Sequence, residues 1–206
     1  MVFRIRTSKT EIKHLIIAWL AISFAFAILF ARDGGMILSP GFIQPMILAL
    51  FTVGIAFLLH EMAHKIVAQK YGYWAEFRMS PTMLMFAILL AYFVGIVFAA
   101  PGAVMIVGQY ITRSQNGKIA IAGPMTSILL VFLFLPLLWL GGFIAKIGIY
   151  GVIINILIAL FNLLPFGPLD GRKVIKWSKS AYFFTVFVAF VMLGWIFIKV
   201  MPYVSL

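Results

Sequence analysis

His60, Glu61 and His64 gather within five positions of an apolar segment, although the whole chain has only three histidines and five acidic residues. Side chains four residues apart on a helix lie one above the other on one face. Two imidazoles so placed can share one Zn²⁺, and the carboxylate of Glu61 is close enough to act as base on a water at the metal. This is the His-Glu-x-x-His pattern of zinc hydrolases. The plainer reading is a hydrogen-bond cluster between helices. Three ionisable groups in an apolar helix are an expensive way to make one, and such groups are functional-site candidates by default.

A catalytic zinc keeps three protein ligands and one open position. Apart from the histidine pair, the candidates are His14, Asp33, Glu76 and Asp170. His14 opens the first apolar segment among basic residues, as an interfacial side chain would. Asp33 precedes Gly34 and Gly35, where turn chemistry explains it. Glu76 has Arg78 two positions on, which offers a plain ion pair. Asp170 follows an Asn and two prolines in "FNLLPFGPLDG". It either completes the metal site or only caps a helix that begins with "GRKVIKW".

The elements that must position these residues are apolar. Of 206 residues 65% are hydrophobic, and the mean hydropathy is +1.15. That composition implies a multi-pass integral membrane protein. Windows at 11–31, 42–68, 118–140, 144–164 and 181–200 are each long enough to span a bilayer. The first is expected to be an anchor and not a cleaved signal, because no small-residue cleavage site follows it. No cysteine is present, so disulfides and thiol chemistry are excluded. The net charge of +11 fits the lysine and arginine bias of inner loops better than nucleic-acid binding, since no basic run carries an aromatic platform.

A sixth apolar stretch, 82–104, could span or could turn back. If it turns back, with the N-terminus inside, 13 of the 16 basic residues fall on the inner side and only Arg32, Lys146 and Lys199 fall outside. If it spans, the split is nine to seven, and the basic cluster 172–179 moves outside. Charge bias therefore favours a re-entrant hairpin. That same topology brings Asp170 to the leaflet of His60 and His64. The flanks 73–79 and 97–112 are rich in β-formers and are expected as short strands. Their edge could pair with an extended substrate. The expected fold is thus an all-α polytopic bundle of about six apolar segments, five spanning and one re-entrant, with short strands near the inner surface. The chain is expected to form one domain over residues 1–206, with no regulatory module.

"HEMAH" at 60–64 together with "NLLPFGPLDG" at 162–171 resembles the site-2 protease family of intramembrane zinc metalloproteases. "IAGPMTS" at 121–127 is similar to that family's glycine-proline turn into a core helix. Gly167 stands where the family often has Pro, and Ser127 where it often has Asn. The resemblance implies one zinc ion per chain held by His60, His64 and Asp170, with Glu61 as catalytic acid and base and Asn162 near the substrate or oxyanion. It also implies cleavage within or near the transmembrane segments of membrane-protein substrates. The charge bias in turn predicts a cell-membrane protein with its N-terminus and active-site opening on the cytoplasmic side. Two alternatives remain at this stage. One is a membrane zinc protease with Glu76 as third ligand. The other is a metal-binding transporter or scaffold without catalysis.

Overall fold

A computed structural model describes residues 4–31, 39–97 and 101–200. Asp33, Gly34, Gly35 and Arg32 lie outside the described residues. Five helices are long and apolar enough to cross a membrane: α1 (Lys9–Phe30), α2 (Pro40–Lys70), α4 (Arg113–Trp139), α5 (Gly142–Asn162) and α7 (Lys179–Lys199). They match the five expected windows to within a few residues. The shorter helices are α3 (Pro81–Phe93) and α6 (Asp170–Trp177), and the strands are β1 (Trp74–Met79) and β2 (Gly102–Val107).

The sixth apolar stretch is a hairpin. Thirteen residues of α3 rise about 20 Å, too short for a hydrocarbon core of about 30 Å. β1 and β2 pair antiparallel, with Met79 opposite Gly102 and Trp74 opposite Val107. The Ser80 amide donates to the Pro101 carbonyl at 2.9 Å, closing the neck of the excursion. The chain therefore leaves and re-enters at the same place. Between those points Ala87 and Ala91 of α3 pack against Ala25, Ala27 and Ile28 of α1. The β-rich flank 97–112 is corrected to Gly102–Val107. The ladder is limited by its partner, since Gly72 takes a left-handed φ of 83° just before β1. Beyond β2, Thr112 and Gln115 form a capping box that starts α4.

A buried ion pair fixes the sheet to the bundle. Lys65 Nζ on α2 lies 2.6 Å from Glu11 Oε2 on α1, and it also donates to Thr7 Oγ1 at 2.8 Å. The other oxygen of Glu11 accepts the Phe77 amide of β1 at 3.0 Å. Both charged side chains are buried. On the far side of the molecule, α4, α5 and α7 enclose the largest apolar core, around Val131, Val152 and Ile156. Within α2, a π-helical turn at Leu50–Gly54 interrupts the regular ladder, and the Trp19 indole of α1 donates to the Leu50 carbonyl at 3.1 Å.

Candidate metal centre

α2 delivers His60 and His64 on one face, with ring centroids 4.9 Å apart. The helix is continuous here, so the four-residue spacing alone stacks them. Each ring is oriented by a partner on α4. His60 Nδ1 lies 3.0 Å from Ser127 Oγ, and His64 Nδ1 donates to the Ile119 carbonyl at 2.8 Å. Both Nε2 atoms are left pointing the same way. Pro124, inside α4, has no N–H to give Ala120, which weakens the helical ladder close to the Ile119 carbonyl.

The third element is the turn after α5. Gly167 there has φ of 60°, a conformation that proline cannot adopt. This accounts for glycine in place of the family's usual proline. The turn delivers Asp170 at the start of α6. The N-cap position belongs to Leu169, and no side chain makes a capping hydrogen bond there. Asp170 instead places Oδ2 3.5 Å from His60 Nε2 and 3.1 Å from His64 Nε2. Its Oδ1 lies 3.5 Å from Lys173 Nζ.

This geometry suits a tetrahedral metal. Ligands at about 2.0–2.1 Å from zinc are separated from each other by about 3.3 Å. The observed separations of 3.1 and 3.5 Å fall on either side of that value. Donor chemistry fits as well: two imidazole nitrogens, each with its other nitrogen engaged, and one carboxylate oxygen. Gly123 of α4 supplies the floor. A Cβ at that position would overlap Nε2 of both histidines. The donor atoms of His60, Glu61 and His64 also lie within 4.8 Å of one another.

Glu61 is next to a ligand candidate in sequence but faces a different partner. Its Oε2 accepts the Val104 amide of β2 at 3.2 Å. A cavity of about 460 Å³ joins these groups, lined by Glu61, both histidines, Val104, Asn162 and Asp170 among others. Its walls are mainly apolar side chains such as Phe26, Phe57 and Ile158. Asn162 faces this cavity, but its Nδ2 donates to Ile158 O of its own helix at 3.0 Å, which leaves one amide hydrogen uncommitted.

Glu76 is not brought to the histidines. Its Oε2 accepts from Arg78 at 2.6 Å and from Ser8 at 2.9 Å. Burial would raise this carboxyl, but those hydrogen bonds outweigh it and keep it below its ordinary value. The third-ligand role weighed for Glu76 therefore has no support in the geometry. His14 also stands apart, with Nδ1 buried and unpartnered. Sequence reasoning missed Val104, and it placed Gly123 and Ser127 only in a glycine-proline turn, whereas the segment lies inside α4 and both residues face the histidines. A signal existed for these two, because Gly123 and Ser127 are four apart on α4 and share a face.

These features define a polytopic helical membrane protein in which buried His60, His64 and Asp170 converge beside a half-buried Glu61. The comparisons agree with that class. A zinc metalloprotease, provisionally so named, MJ0611 of Methanocaldococcus jannaschii, is 42% identical over 177 residues, covering 84% of this chain and 87% of that protein. The chain belongs to the site-2 protease family of zinc metalloproteases. Two further relatives carry the same provisional name. Rip3 of Mycobacterium tuberculosis is 31% identical over 125 residues, and YwhC of Bacillus subtilis is 29% identical over 146. The matches cover 58% and 62% of this chain, and 28% of Rip3 and 67% of YwhC. No family model matches the chain, and no solved structure does.

Proposed function

We propose that the protein is an intramembrane zinc endopeptidase that cuts peptide bonds within or near transmembrane segments of other membrane proteins. The observation that carries this reading is the convergence of His60 Nε2, His64 Nε2 and Asp170 Oδ2 in a cavity that also holds Glu61. In this reading those three residues hold zinc. Bound there, zinc would polarise the scissile carbonyl and make a water acidic enough to deprotonate near neutral pH.

The protein's own groups do the rest. Glu61 takes the proton from the attacking water and returns it to the leaving amine, so one carboxylate serves as base and then as acid. The Ile119 carbonyl, which can only accept, holds His64 in the tautomer that leaves Nε2 free, and Ser127 orients the His60 ring. In this reading the remaining amide hydrogen of Asn162, which lines the same cavity, donates to a substrate carbonyl or oxyanion.

A helical substrate hides its carbonyls in i to i+4 bonds and must unwind before attack. β2 supports the unwound form. Phe77 and Val104 sit opposite one another, and their amides point away from the ladder, to Glu11 and Glu61 respectively. The outer edge of β2 therefore faces the catalytic cavity, where an extended chain can add as a strand. The inner-side bias of lysine and arginine supports a cytoplasmic opening in the cell membrane.

The test is a cleavage assay on detergent-solubilised protein with a panel of single-span peptides, alongside zinc analysis. Cleavage that requires both zinc and Glu61 is expected. Zinc bound without cleavage of any peptide would instead point to a transporter or scaffold.

A further inference from the structure

A second recess, of about 740 Å³, opens beside the catalytic cavity between the start of α4 and the turn leading into α6. Its charged lining is all basic: Arg113, Arg172, Lys173 and Lys176. Of these four side chains only Lys173 has a carboxylate partner among the described residues, Asp170. Arg172 makes a single long hydrogen bond, 3.5 Å to the Gly167 carbonyl. Asn116, Leu169 and Lys173 line both spaces, so the recess forms a mouth of the catalytic cavity.

We infer that this basic mouth binds an acidic stretch of the substrate chain flanking the cleaved segment. The inference rests on the protease reading above and adds a specificity element to it. Charge complementarity selects carboxylates. Continuity with the cavity selects a polypeptide, because the two spaces share Asn116, Leu169 and Lys173, and an extended chain held at Glu61 can continue from one into the other. A lipid headgroup carries acyl tails that must stay outside the bundle, and the inward path does nothing for it. Lys173 touches Asp170, and Lys176 lies one helical turn beyond, so at about 3.3 Å per residue the acidic positions fall within about two to five residues of the scissile bond. The inner flanks of membrane spans are ordinarily basic. The mouth would repel such a flank, so it discriminates among membrane proteins as well as attracting some of them.

The experiment measures binding and not turnover. Full-length Glu61→Gln protein in detergent, with zinc added, is titrated with fluorescent single-span peptides that differ only in a flank of three Glu, three Gln or three Lys, built at either end. At one end the Glu flank is expected to bind about tenfold more tightly than the Lys flank, from several weak, screened ion pairs. High salt should remove the difference, and Arg172→Glu with Lys176→Glu should reverse it relative to the Gln flank. Equal affinities at both ends, or a preference that the double variant leaves unchanged, would overturn the inference. So would competition by phosphatidylglycerol that matches the Glu-flanked peptide and is lost in the double variant, because the mouth would then be a headgroup site. Chelator-treated wild-type protein repeats the comparison if Glu61→Gln does not fold. Absence of cleavage by the wild type would count against the protease reading and leave this binding preference readable.

Discussion

Val104 of β2 donates its amide hydrogen to Glu61 Oε2 at 3.2 Å, so the strand edge and the acid–base carboxylate are joined by one hydrogen bond. The opposite residue, Phe77, makes the matching bond to Glu11 on the other edge of the sheet. A two-stranded sheet is thereby held between a carboxylate that anchors it and one assigned to the reaction.

Replacing Val104 by Pro removes the donor without removing a ladder bond, because this amide points away from β1. Hydrogen bonds to charged groups are worth about 1.5–3 kcal/mol. Val104→Pro is therefore expected to retain zinc and lose about ten- to a hundredfold in kcat, whereas Val104→Ala stays near wild type. Steady-state kinetics with parallel zinc analysis reads both; wild-type kcat in the Pro variant would remove Val104 from the account.

The metal floor gives a steric test. In Gly123→Ala the new methyl must occupy the space of two imidazole nitrogens. Loss of zinc is expected, comparable with the loss in Asp170→Ala, with the helical content of both variants preserved. Undiminished zinc in Asp170→Ala would rule it out as third ligand.

Ser127 orients His60 and does not reach the metal position itself. Removing such outer partners typically lowers metal affinity about 10–100-fold. Ser127→Ala should show that loss in a competitive chelator titration. Ser127→Asn, which restores a polar partner, should recover most of it.

The Glu11–Lys65 pair is buried, so removing one partner strands the other. Glu11→Ala should lower stability by about 3–5 kcal/mol, while Glu11→Leu combined with Lys65→Met should lose far less. Thermal unfolding in detergent distinguishes them. Equal destabilisation by the single and double changes would mean that the Glu11 contact to the Phe77 amide, and not the ion pair, carries the effect.

What could be read in the sequence was whatever depends on neighbours along the chain or on the side of the membrane. The His60–His64 stacking follows from helical period alone. Charge bias favoured a topology that puts Asp170 in the leaflet of the histidines, and the resemblance of its motif, not the spacing, singled it out as a ligand. The hairpin at 82–104 came from the same argument. Contacts between elements were not legible. Nothing near Glu11 or Lys65 signals that they pair, because 54 positions separate them and each looks like an ordinary inner-loop charge. The π turn at Leu50–Gly54 has no proline to mark it. The extent of β2 was overestimated because β-forming residues continue past the point where the partner strand ends, and only the pairing shows that limit.

The most direct measurement is mass-spectrometric mapping of the products from a single-span peptide incubated with wild-type and Glu61→Gln protein, each shown to contain zinc. Glutamine is nearly the same shape as glutamate but cannot accept the water's proton, and acid–base catalysis contributes about 10²–10⁴-fold. The expected result is a pair of products that each carry part of the apolar span, formed by the wild type and reduced at least a hundredfold in the variant. Cuts confined to the soluble flanks, or variant cleavage above about a tenth of the wild-type rate, would contradict an intramembrane protease that uses Glu61.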